Sequence, residues 1–217
     1  MSFKLDWKKI IICFIAVFGM GFTLSFLIMC DMGTDPCTFM NKAVAAKAGL
    51  SFGTYQLIVN IVMLCIVFIF KRSLIGFGTV FNMVLIGYYA DFFCWLWRKI
   101  IPASAFTDPL SRWIIFLLAL LVFLISVAVY INMDMGVSPY DGLPIIIIEK
   151  LKADKSTIGK TVIRILWDGT ALVVGMIAGN IPVIGHILMV LFLGPAISLV
   201  GKLISRGVRS GRTEKAE

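Results

Sequence analysis

Long apolar runs dominate this chain, and short polar clusters separate them. The first run, residues 10–30, contains no charged side chain. As a helix it would extend for about 31 Å, which matches the hydrocarbon thickness of a bilayer. We therefore expect six membrane-spanning helices from six such runs. They are residues 10–30, 52–70, 76–97, 113–133, 158–179 and 181–201.

A hexapeptide that follows the first run is repeated after the fourth. D-M-G-T-D-P at residues 31–36 returns as D-M-G-V-S-P at residues 134–139, an offset of 103 in a chain of 217 residues. Such an offset indicates an internal duplication. Each copy contains three runs, and an odd number inverts the second copy relative to the first, as in many secondary transporters. The predicted fold is an all-α polytopic membrane protein of two inverted three-helix repeats, residues 1–103 and 104–203, with a basic cytoplasmic tail, residues 204–217.

The repeated hexapeptide carries signals that stop one helix and start another. In each copy a glycine suits the left-handed position that ends a helix. An Asp or Ser then suits the N-cap of the next helix, and a proline suits its first position. These residues are Gly33, Asp35 and Pro36 in the first copy and Gly136, Ser138 and Pro139 in the second.

A short helix is expected after each hexapeptide. Residues 37–50 and 140–151 are too short and too polar to cross a bilayer, so each short helix is either re-entrant or interfacial. The hexapeptide is then a helical corner at the membrane surface, or it is a break whose new helix N-terminus faces a cavity and attracts an anion.

The composition excludes a soluble globular domain. Hydrophobic residues make up 60% of the chain, charged residues 15%, and the mean hydropathy is +0.99. The net charge of +8 comes from residues near the ends of the runs, so we expect membrane lipid and not nucleic acid as a partner. With the N-terminus in the cytoplasm, most Lys and Arg residues fall on that side, and the positive-inside rule places both termini there.

Three charges interrupt the fifth run. Lys160, Arg164 and Asp168 are spaced four residues apart and are expected on one helix face. A charge at mid-bilayer costs at least about 2.5 kcal/mol, so such groups normally face the protein interior and have partners. They form a substrate site together with Gln56 and Asn60 of the second run, or Arg164 and Asp168 form a structural pair while Lys160 reaches the interface.

Three more aspartates are candidates for binding a coupling ion or proton. Asp31 and Asp134 stand where a helix ends, and a carboxylate there opposes the helix dipole at a cost of about 0.3–1 kcal/mol when exposed. A Lys or Arg side chain, a cation or a proton would compensate, unless both are simply exposed. Asp91, in the third run, is either a proton relay or an interfacial residue.

The motifs resemble those of the YczE/YyaS/YitT-type bacterial integral membrane proteins, and the YczE branch in particular. The resemblance covers most of residues 10–203. It rests on the two hexapeptides, on the glycine-rich link at residues 76–82 with Gly87 and Asp91 after it, and on Gly194-Pro195. It implies a location in the bacterial plasma (inner) membrane and a role in transport or as an accessory protein, and it assigns no role to any residue.

The inverted repeat and Arg164 together favour a secondary transporter or exporter of a small polar metabolite, which we expect to be anionic. Arg164 would pair with the substrate, Asp168 would orient Arg164, and Lys160 would add positive potential. The alternatives are a membrane accessory protein that docks a partner, and a substrate-capture subunit of a multi-component importer. No catalytic, cofactor or metal-binding motif occurs, so we expect neither an enzyme nor a cofactor. The mass of 24.0 kDa favours a homodimer.

Overall fold

A computed structural model describes residues 6–183 and positions 185–187, 189–191, 194–195, 199 and 201. Every regular element in these residues is helical, and single 3-10 turns precede α4 and α8. The helices are α1 Trp7–Cys30, α2 Pro36–Ala48, α3 Phe52–Phe70, α4 Phe77–Ile100, α5 Ser104–Thr107, α6 Pro109–Asn132, α7 Pro139–Lys150 and α8 Thr157–Ile177.

Four of the described helices, α1, α3, α4 and α6, are long and apolar enough to cross a membrane. The chain is therefore a multi-pass membrane protein. The fifth predicted run is α8, a helix of 21 residues whose three charges keep it out of this set. Much of the sixth run, and all of the predicted tail at residues 204–217, lie outside the described residues.

Helix α1 packs between α4 and α6. It is antiparallel to α6, because Arg112 near the start of α6 donates from Nε to the carbonyl oxygen of Cys30 at the end of α1 (2.7 Å). Further along the pair, Gly19 lies against Ser126. Since α1 and α6 run in opposite directions, the hexapeptides that follow them lie at opposite ends of the pair.

An aromatic cluster holds α1 against α4. Phe22 and Phe26 pack on Phe93 and Trp97 with ring centroids 4.9–5.7 Å apart, and the Trp97 indole N–H donates to Ser25 Oγ (2.8 Å). Each aromatic pair contributes about 0.5–1.5 kcal/mol beyond its buried area. Helix α6 exposes several leucines, as expected for a surface that meets lipid.

The two hexapeptides end their helices differently from the prediction. The left-handed residue is Asp31 (φ 49°), directly after α1, in the first copy and Asp134 (φ 52°), two residues after the end of α6, in the second. Gly33 and Gly136 come two residues later, at φ 136° and 100°. The prediction that a glycine ends each helix is wrong, because a short polar side chain tolerates the left-handed region and the glycine is needed for the chain reversal that follows.

The helices that follow the hexapeptides begin as predicted. Asp35 caps α2 by accepting from the Thr38 N–H (3.0 Å), and Ser138 caps α7 by accepting from the Asp141 N–H (3.1 Å). A proline follows each cap at the first helical position, where a missing N–H costs nothing. The short helices expected after the hexapeptides are therefore α2 and α7.

Each hexapeptide packs against a glycine-rich segment of the other half. The Gly78 N–H donates to the Met135 carbonyl (2.7 Å), and Gly136 contacts Gly76. In the first copy Gly33 contacts Gly185 in the same way. The absence of side chains allows backbone to meet backbone at both places.

Candidate functional site

The long helices and both short helices enclose a cavity of about 670 Å³. This volume falls within the range of about 300–1,000 Å³ that is typical of small-molecule sites. One wall is apolar and includes Met20, Leu24, Ile86 and Phe123. The polar wall is formed where α2 and α7 begin and by residues of α3, α4 and α8.

Arg164 lies between two carboxylates on the polar wall. Its Nε–H donates to Asp168 Oδ2 (2.9 Å), and its Nη1–H donates to Asp141 Oδ1 (2.7 Å). The Arg164 side chain remains 36% exposed and lines the cavity. The guanidinium is therefore paired on one side and open to the cavity on the other.

Asp168 is fully engaged by protein groups. Its Oδ1 accepts from the Tyr140 hydroxyl (2.8 Å), Arg164 occupies Oδ2, and the side chain is only 4% exposed. Asp141 is held in a similar way, because its Oδ2 accepts from the Ser138 hydroxyl (2.6 Å). We call Ser138, Tyr140, Asp141, Arg164 and Asp168 the charged cluster.

Asp35 reaches the same cavity from the start of α2. One of its oxygens accepts from the Thr38 N–H. Within the part of the chain that the structure describes, no Lys, Arg or His forms an ion pair with Asp35. Asp35 is therefore a third carboxyl group on a wall that already carries two carboxylates and one guanidinium.

Four buried polar side chains line the cavity: Gln56, Asn60, Asn82 and Tyr130, each at most 6% exposed. The Tyr130 hydroxyl has no hydrogen-bond partner among the described residues. Buried polar groups in native proteins are normally paired. The Tyr130 hydroxyl therefore leaves hydrogen-bonding capacity available to a bound molecule, and the three amides add polar groups to the same wall.

The structure brings four of the five predicted substrate-binding residues to this cavity: Arg164, Asp168, Gln56 and Asn60. Lys160 is exposed near the start of α8 and is not part of the lining. The described residues include the Arg164–Asp168 ion pair, which a purely structural role requires. They also line a cavity beside this pair, which a substrate site requires.

The three predicted coupling aspartates lie outside the cavity lining. Asp31 pairs with Lys42 at 3.1 Å and its side chain is 72% exposed, so a protein cation compensates its position at the helix end. Asp134 is exposed. Asp91 accepts from the Gly53 N–H (2.7 Å) and so satisfies a backbone group at the start of α3.

Asp141, Tyr140 and Tyr130 line the cavity but are not among the site residues predicted from the sequence. A signal for Asp141 was present, because Ser138 followed by an acidic residue three positions later is the pattern of a helix N-terminal capping box. Such a residue lies beside its cap at the start of a helix. No pattern marks Tyr130, which reaches the cavity only through the packing of α6.

Taken together, the fold and the cavity define a multi-pass α-helical membrane protein with a polar, charged interior site. Residues 7–202 match the model of a family described as "Family of unknown function (DUF6198)", and the chain belongs to this family. The match confirms that the chain is a member of the group that its motifs resemble.

Two bacterial proteins show the relationship in single sequences. "Uncharacterized membrane protein YczE" of Bacillus subtilis is 30% identical over 120 residues, which cover 55% of this chain and 53% of that protein. The chain thus spans about half the length of this relative. An "Uncharacterized protein" of Haemophilus influenzae is 22% identical over 204 residues, 93% of this chain and 87% of that protein. No solved structure matches the chain.

Proposed function

We propose that the protein is a secondary transporter or exporter that moves a small polar metabolite across the bacterial plasma membrane. The observation that carries this proposal is the cavity of about 670 Å³, whose polar wall combines the charged cluster with the buried polar side chains Gln56, Asn60, Asn82 and Tyr130. A purely structural Arg–Asp pair would not require such a cavity beside it.

The proposed membrane fold is the full arrangement of six spans in two inverted repeats, with α2 and α7 as re-entrant helices and both termini in the cytoplasm. Three observations support it. The helices α1 and α6 are antiparallel, the hexapeptides lie at opposite ends of this pair, and each hexapeptide packs against glycines of the other half. Inverted-repeat transporters place the substrate where two such halves meet.

The proposed transport cycle exposes the cavity to each side of the membrane in turn. In inverted-repeat transporters this commonly occurs by rocking of one repeat against the other around a fixed site. The residues of the charged cluster would hold the solute through its polar groups, and the apolar wall formed by α1, α4 and α6 would contact its carbon skeleton.

The sequence favours an anionic solute, whereas the contacts of Arg164 argue against one. Arg164 already has two carboxylate partners, Asp141 and Asp168. An anion would have to compete with both for the guanidinium. The geometry therefore supports transport of a polar solute more strongly than transport of an anion.

Uptake measurements in proteoliposomes test the proposal. We expect saturable uptake of at least one compound in a panel of radiolabelled organic acids, amino acids and amines. We further expect Asp168→Asn and Asn60→Leu to lower this uptake at least tenfold. Asn60→Leu fills the cavity without touching an ion pair, so it separates transport from folding of the charged cluster.

Two substitutions outside the cavity serve as matched controls. Asp91→Asn changes a carboxylate that bonds to backbone, and Lys160→Ala removes an exposed cation of α8. Both should leave uptake unchanged. The proposal fails if no compound shows saturable uptake, or if uptake is equal in the wild type, Asp168→Asn and Asn60→Leu.

A further inference from the structure

We infer that the substrate of this cavity is an organic cation, an amine with an apolar body, and that Asp35 is its counter-ion. The inference deepens the proposed function and rests on it. It follows from the juxtaposition of Asp35, the charged cluster and an apolar wall in one cavity.

The charges that line the cavity do not balance. When all are ionised, Asp35, Asp141 and Asp168 contribute three negative charges, and Arg164 contributes one positive charge. The N-termini of α2 and α7 each add about half a positive unit charge. The described wall is thus left with about one negative charge in excess, and an uncompensated charge is costly in a site of low dielectric constant. One monovalent cation would neutralise it.

Asp35 is the carboxylate of the described cavity wall that can still accept hydrogen bonds from a ligand. Protein groups occupy both oxygens of Asp168 and both oxygens of Asp141. Among the described residues, Asp35 is bonded only by Thr38, through its N–H and its side chain. A carboxylate has about four lone-pair sites, so Asp35, which lines the cavity, can accept further hydrogen bonds. An ammonium group can therefore pair with Asp35 without displacing Arg164.

Independent features of the wall fit the rest of an amine. An ammonium group has only donors, so it needs further oxygen acceptors, and Gln56, Asn60 and Asn82 of the lining carry amide oxygens. Tyr130 adds a buried hydroxyl without a hydrogen-bond partner in the part of the chain that the structure describes. The apolar wall with Leu24 and Phe123 would pack against the carbon body of the ligand.

The test measures binding to the purified full-length protein in detergent by calorimetry. The probes are 4-phenylbutylamine, 4-phenylbutyrate and 4-phenylbutan-1-ol, which share one apolar body and differ in charge. We expect the amine to bind at least tenfold more tightly than the carboxylate or the alcohol. Asp35→Asn should weaken amine binding at least tenfold, while Asp154→Asn, at an exposed site outside the cavity, should leave it unchanged.

The Asp35→Asn variant is expected to fold, because Asn is as good a helix N-cap as Asp. Tighter binding of the carboxylate, no binding of any probe, or amine binding that is insensitive to Asp35→Asn would overturn the cation inference. If the carboxylate binds and Asn60→Leu abolishes its binding, the cation inference is overturned but the cavity is still supported as a transport site. Amine binding that depends on Asp35, without uptake in proteoliposomes, would support the cation site and refute transport.

Discussion

Replacing Arg164 with alanine is expected to lower the free energy of unfolding by about 3 kcal/mol. The substitution leaves Asp168, whose side chain is 4% exposed, beside Asp141 without the cation that separates them. Removing one partner of a buried pair is costly because it leaves an uncompensated charge. We place the effect at the low end of the usual range because solvent reaches Arg164 and Asp141. Unfolding of the purified variant in detergent measures it.

Two further variants separate charge from packing. Asp168→Asn should cost much less than Arg164→Ala, because Arg164 keeps Asp141 as a partner. The double variant Arg164→Ala with Asp168→Asn should recover part of the stability that Arg164→Ala loses, since one of the two stranded charges is gone. If the two substitutions destabilise additively, the charged cluster does not act as one network.

Replacing Gly136 with alanine should also destabilise the protein, by about 3 kcal/mol from backbone strain and overpacking combined. Gly136 has φ 100°, a conformation that L side chains rarely adopt, and an added Cβ would lie 2.5 Å from both the Gly76 nitrogen and Thr79 Oγ1. Backbone atoms of the link before α4 cannot move aside as a flexible side chain can. The same unfolding measurement applies.

Gly169→Ala is the matched control for this substitution. Gly169 lies inside α8, and a Cβ there would meet nothing within 4 Å. Alanine is favoured over glycine in a helix by up to about 1 kcal/mol, so this variant should equal or exceed the wild type in stability. Equal losses in Gly136→Ala and Gly169→Ala would show that the contact between the second hexapeptide and α4 contributes nothing specific.

Local signals made much of the fold predictable. The run at residues 52–70 coincides with α3, and the N-caps Asp35 and Ser138 occur where cap and proline stand together in the sequence. The cap signals act within a single turn of helix, so they survive in any tertiary context. The left-handed residue at each helix end was misplaced, because both Asp and Gly tolerate that conformation and only packing decides between them.

The site was only partly predictable, because its members meet through packing. Arg164 and Asp168 are four residues apart and do share a helix face. Lys160 is eight residues from Asp168, and at 3.6 residues per turn the two positions differ by about 80° around the helix axis. Lys160 is not among the residues that line the cavity. Asp141 reaches Arg164 because α7 packs on α8, and Lys42 of α2 reaches Asp31 across the turn between α1 and α2. No spacing along the chain encodes these contacts.

The central claim is that the two hexapeptides lie on opposite faces of the membrane and lead to one cavity between them. Labelling of single cysteines tests it most directly. In a variant without the five native cysteines, Asp31→Cys and Asp134→Cys each place one thiol at an exposed position. We expect a membrane-impermeant maleimide to label residue 31 in intact cells and residue 134 only after the membrane is opened. Labelling of both residues from the same side would contradict the account.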